Sequence, residues 1–139
     1  MKDISEKFIL DTARRGTIIF VVLVTGSVFF EGLIRTTSLV FNLFLFITGC
    51  CTFMAAFARA VKRSRTEAIG VGGLYFLSGC APPKIRRQMM GLLSFQVVIS
   101  LTAASLRPFT VVASAVLVPV FGLGLSGLWA ANHGDFEPR

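Results

Sequence analysis

Residues 37–58 read TSLVFNLFLFITGCCTFMAAFA, and no charged side chain interrupts them. A bilayer core about 30 Å thick takes roughly 20 residues of helix, each rising about 1.5 Å. A stretch this long and this apolar is a membrane span. Three more qualify: 17–34 (TIIFVVLVTGSVFFEGLI), 88–106 (QMMGLLSFQVVISLTAASL) and 108–130 (PFTVVASAVLVPVFGLGLSGLWA). In lipid only helices or closed barrels satisfy every backbone group, and these runs lack the in-out alternation of barrel strands. The sequence therefore predicts an all-α integral membrane protein whose four transmembrane helices form two hairpins.

Composition agrees with that class. The 139 residues are 54% hydrophobic and 15% charged, against about 25% charged in soluble domains. Disorder is excluded by the same numbers, and a disulfide framework by having three cysteines of which two are adjacent. The length suits one membrane domain, with a cytoplasmic N-terminal segment at 1–16, a basic cytoplasmic loop at 59–87 and a cytoplasmic tail at 131–139.

The apolar piece 68–81 is too short to span and is broken by Gly70, Gly72, Gly73 and Gly79. It reads as an interfacial or re-entrant segment stopped by Pro82 and Pro83. With this piece kept inside, every Lys and Arg except Arg35 and Arg107 falls on the cytoplasmic side, as the positive-inside rule requires. Both termini are then expected in the cytoplasm, and the protein in the cell (inner or plasma) membrane. The net charge of +7 points to anionic headgroups rather than nucleic acid, because the cations flank apolar spans. Lys62, Arg63, Arg65, Lys84, Arg86 and Arg87 are the expected headgroup contacts. Tyr75 and Trp129 fall near the inner boundary, where aromatic anchors sit.

Two apparent processing signals carry no weight. Residues 77–80 (LSGC) resemble a lipoprotein cleavage site but follow two spans, and Arg14 and Arg15 precede a full-length helix rather than a cleaved leader. Cys50 and Cys51 point about 100° apart on a helix and suit packing rather than a disulfide. Cys80 is expected as a free cytoplasmic thiol. With His133 as the one histidine, no metal site and no cofactor are expected.

Charges also recur. Arg14 and Arg15 match Arg86 and Arg87, and Arg35 matches Arg107, at a constant offset. This pattern fits either a duplicated hairpin or two similar hairpins that each obey the charge rule.

Helices in lipid associate through close backbone approach and polar contacts. The fourth span offers Gly122, Ser126 and Ala130, with Gly127 beside them, and the second offers Thr48, Thr52 and Ala56. These are the expected packing faces, within the chain or in a homo-oligomer. Pro119 is expected to kink the fourth helix near Ala115. The 14 phenylalanines cover too much circumference to line a single pocket.

Ionisable groups inside a membrane are functional candidates. Glu31 lies near the outer end of the first span, with Arg35 four residues on. Together with Asn42 and Arg107 it forms a candidate outer polar cluster, and Gln96 is the deepest strongly polar group, expected to meet Ser94, Ser100 or another helix's hydroxyl. One interfacial carboxylate supplies little for proton coupling, and no nucleophile with a base is evident, so an enzyme is not expected. The sequence favours an accessory, assembly or interaction subunit among other membrane proteins or copies of itself. The alternative is a small transporter or channel with the polar cluster at its outer mouth.

Overall fold

The computed structural model describes residues 2–139, apart from the side chain of Lys2, which was counted above among the cytoplasmic cations. Five α-helices follow in order: α1 (Lys2–Phe29), α2 (Leu33–Arg63), α3 (Val71–Phe76), α4 (Pro83–Leu106) and α5 (Pro119–His133), with a 3-10 segment (Val111–Leu117) before α5. Among the described residues, Leu33–Arg63, Pro83–Leu106 and Val111–His133 are long and apolar enough to cross a membrane. The chain is an all-α, multi-pass membrane protein.

Four continuous spans do not emerge as drawn from sequence. The first helix ends at Phe29 rather than at 34, because Gly32 adopts φ 83° in the turn to α2, a conformation that glycine tolerates best. With Arg14 and Arg15 midway along it, α1 keeps a shorter apolar stretch than the other long helices. The helix at 37–58 runs on at both ends, since nothing breaks it before Gly32 or until Ser64. Pro83 starts α4 at its first turn, where a missing N–H costs nothing. At Pro119 the fourth span does not kink within an α-helix. Proline cannot donate to Ala115 O, so Val118 N takes that oxygen at 3.1 Å, and the chain is 3-10 up to Leu117 and α-helical from Pro119.

The broadest packing is between α2 and α5, which run parallel. A Cβ on Gly49 would lie 2.6 Å from Phe121 N, and one on Gly124 would overlap Thr52 Oγ1 and Gly49 O. Glycine at both positions lets the two backbones touch. The buried stripe of α2 is Ser38, Asn42, Leu45, Gly49, Ala56 and Ala60. It includes Ala56 but passes through Gly49 instead of Thr48, which is half-exposed. On α5, Gly122 faces Gln96, Gly127 faces Tyr75 and Ala56, and Ser126 and Ala130 are buried between them. The expected small residues of α5 are used inside the chain.

The α2 residues meet partners at a nearly constant offset: Asn42 with Ser114, 72 residues on, and likewise Gly49 with Phe121 and Thr52 with Gly124. On the other pair of long helices, buried Thr17 and Val24 of α1 occupy positions equivalent, by the same offset, to buried Met89 and Gln96 of α4.

Segment 68–81 holds the six-residue α3, packed on α5. Leu77 ends it in a left-handed conformation at φ 56°. That conformation costs roughly 1–2 kcal/mol for a non-glycine residue, and full burial of the Leu77 side chain offsets it. The chain end is stitched to this loop: Ala68 N donates to Glu137 O, Asp135 N to Cys80 O and Arg139 N to Thr66 O. Residues 131–139 are therefore not a free tail.

Candidate functional site

The interior polar groups fall into a central set and an outer set. Gln96 is fully buried, and its Nε2 donates to Thr17 Oγ1 at 2.7 Å, whose hydroxyl donates to Ala13 O at 2.7 Å. The partner is another helix's hydroxyl, not Ser94 or Ser100. Gln96 Oε1 is buried without a partner and lies over Gly122, where a Cβ would come within 2.5 Å of it. The amide thus joins α1, α4 and α5.

On α2, Arg35, Ser38 and Asn42 share one face by their spacing. Arg35 Nη1 meets Glu31 at 3.2 Å, and Nε donates to Ser27 O at 3.1 Å. Asn42 Nδ2 donates to Ser114 Oγ at 3.0 Å. Arg35 Nη2, Ser38 Oγ and Asn42 Oδ1 are buried and unpartnered. Glu31 itself is exposed on the turn, because the helix that would have carried it has already ended. Arg107 stands exposed at the end of α4 and makes no ion pair among the described residues. The structure therefore brings Glu31 and Arg35 together, sets Asn42 deeper against Ser114, and leaves Arg107 outside.

At the other end, Arg63 is a hub of contacts within the chain. Its Nη1 donates to Ala131 O at 3.0 Å and Ala130 O at 3.3 Å, and its Nη2 to Gly134 O at 3.0 Å and Glu67 Oε2 at 2.6 Å. The guanidinium also lies 5.3 Å from the centre of the Phe136 ring. It caps α5, whose last carbonyls attract a cation. Lys62, Arg65, Lys84, Arg86 and Arg87 remain exposed.

Both residues expected as aromatic anchors are buried within the chain. Tyr75 stacks on Phe53 with centroids 4.2 Å apart and donates to Phe53 O at 3.2 Å, and Trp129 is buried with Nε1 unpartnered. Burial pushes the Tyr75 hydroxyl pKa up. Cys80 is also buried, its Sγ donating to Gly73 O at 3.0 Å. Burial, aided by the nearby Asp135 charge, raises its pKa. Thiolate is the reactive form, so labelling of Cys80 should climb only at higher pH than that of an ordinary thiol.

Thr17, Ser114, Gly49 and the tail were not singled out from sequence. Thr17 had a signal, since it shares a face with Ala13 at the start of a span; most of the tail's ties end on backbone carbonyls and leave none. Comparison with family models, curated proteins and solved structures finds no match, so the reading rests on this geometry.

Neutral amides and hydroxyls at these depths register helix faces against one another and carry no titrating proton. A double-mutant cycle should separate that role. Thr17→Val strands Gln96 Nε2 and should destabilise by about 1–3 kcal/mol, while adding Gln96→Leu should recover most of the loss. Unfolding by denaturing detergent reads the coupling, and simple additivity would contradict it.

Proposed function

We propose that this small multi-pass membrane protein is an accessory or interaction subunit that works by presenting surfaces to another membrane component. The observation that carries this reading is the closed centre of the bundle. Gly49 and Gly124 bring α2 and α5 into backbone contact, and Gln96 sits against Gly122 between α1, α4 and α5. Among the described residues its spans bury no carboxylate, and His133, at the last residue of α5, is half-buried. A partner, or a second copy, would meet the outer faces, since the glycine faces of α5 are occupied within the chain.

In this reading α1 crosses as well, making four spans in two parallel hairpins related by the recurring offset. Exposed Ile18, Ile19 and Val22 support lipid around it. So does the shared outer-end depression that places Phe29 of α1 beside Leu106 of α4. The basic asymmetry supports cytoplasmic termini in the cell membrane, the inner one in a bacterial-type cell. Reporter fusions at 36 and 107 should be external and those near 65 and 139 internal; an external signal at 65 would overturn this topology.

The unpartnered Arg35 Nη2, Ser38 Oγ and Asn42 Oδ1 on one face favour a second reading, a small transporter or channel entered from that end. Crosslinking in native membranes, paired with solute flux into liposomes of the pure protein, decides between them. One constant partner with silent liposomes supports the accessory role. Flux lost on Asn42→Leu in a folded protein would overturn it.

A further inference from the structure

We propose that the groove between α2 and α3 holds one acyl chain of an anionic phospholipid of the cytoplasmic leaflet, with its phosphate at Lys62 and Arg65. The groove has a volume of about 390 Å³ and is walled by Phe53, Phe57 and Val61 on one side and by Gly70, Leu74 and Tyr75 on the other. The stack of Tyr75 on Phe53 turns the phenol inward, so the wall offered to an occupant is almost entirely carbon.

Position and charge select the occupant. The groove follows the last turns of α2, whose next residues are the basic cytoplasmic loop, so its occupant lies at acyl depth under the headgroups. Phe57 and Val61 are each about half exposed, which leaves the groove open sideways to lipid. Ser64 marks its polar end, and exposed Lys62 and Arg65 flank that residue in the chain. The carboxylate nearest in sequence, Glu67, is paired with Arg63, and neither Lys62 nor Arg65 has an ion-pair partner among the described residues. Two free cations over an apolar slot match a molecule with a negative head and a hydrocarbon tail.

The site rests on the orientation proposed above. Native mass spectrometry reads lipid identity and number whichever way the chain sits, whereas the reporter fusions read orientation alone, so the two can fail separately. Protein released from nanodiscs holding equal phosphatidylglycerol and phosphatidylcholine of the same chains should keep one phosphatidylglycerol. The expected preference is roughly thirtyfold, the effect of two cations near a headgroup. Lys62→Gln with Arg65→Gln should erase the preference. Gly70→Phe should erase the retained lipid itself, because Gly70 lines the groove and a Cβ there meets no atom within 4 Å, which leaves room for a ring at the occupant's site.

Circular dichroism and size exclusion check that each variant folds. The exposed Lys62 and Arg65 pair keeps the test alive if Gly70→Phe does not. Equal retention of the two lipids by the wild type, or undiminished phosphatidylglycerol on folded Gly70→Phe, overturns the proposal. So does the outcome in which Gly70→Phe releases a constant partner polypeptide while the lipid stays, which would make the groove a protein interface.

Discussion

Gly49→Leu is expected to abolish the folded bundle. A Cβ at this position would sit 2.6 Å from Phe121 N and 2.7 Å from Phe121 Cα and Val120 C. Those are backbone atoms, so no rotamer change relieves the overlap, and α2 and α5 must separate along their broadest contact. Overpacking by a few carbons ordinarily costs about 1–3 kcal/mol and more where backbone has to move. Total stabilities are only about 5–15 kcal/mol. Gly49→Ala should therefore lose about 3 kcal/mol, and leucine should leave no folded protein to purify. Gly91 provides the contrast: it lies within α4 with nothing within 4 Å of a Cβ. There alanine should add roughly 0.5–1 kcal/mol through helix propensity alone. Denaturing-detergent midpoints measure both, and a Gly49→Ala protein as stable as Gly91→Ala would contradict the backbone contact between α2 and α5.

That contrast also marks what a sequence can carry. Length and apolarity suffice to read out helices and a membrane class, because lipid imposes them on every residue of a span. Packing faces are harder, since residues 48–52 (TGCCT) contain small side chains in adjacent registers. Spacing favours Thr48 and Thr52 as readily as Gly49, and only the approach of Phe121 decides for glycine. Gln96 stood out because it is a lone amide among apolar residues, but its partner Thr17 lies far along the chain. Tyr75 and Trp129 illustrate the limit of positional rules. Amphipathic rings prefer the interface on average, yet here the folded-back loop carries the first ring onto Phe53 of α2 and helix packing buries the second. A loop that folds back on a helix end leaves no periodicity to find.

The Arg63→Met variant should release that folded-back loop while leaving the spans in place. Arg63 donates to three carbonyls at the end of α5 and beyond it, and to Glu67. Its removal strands those acceptors and the Glu67 carboxylate together. Charge-assisted hydrogen bonds contribute about 1.5–3 kcal/mol each, but the side chain is 28% exposed, so water recovers part of the loss. The consequence is local because the ties beyond Gly134, the backbone bonds Ala68 N to Glu137 O and Asp135 N to Cys80 O and the Arg139 side-chain bond to Ser64 O, depend on Gly134 being held. Cys80 is then the natural reporter. It is buried in the wild type, and a water-soluble maleimide should label it at least about tenfold faster in Arg63→Met, the equivalent of about 1.4 kcal/mol in the opening equilibrium. Arg63→Lys should stay close to Arg63→Met, because a single ammonium cannot span the carbonyls and the carboxylate as the planar fork does. Full rescue by lysine would show that charge alone holds the loop. Labelling no faster in Arg63→Met would show that the backbone ties hold it without the arginine.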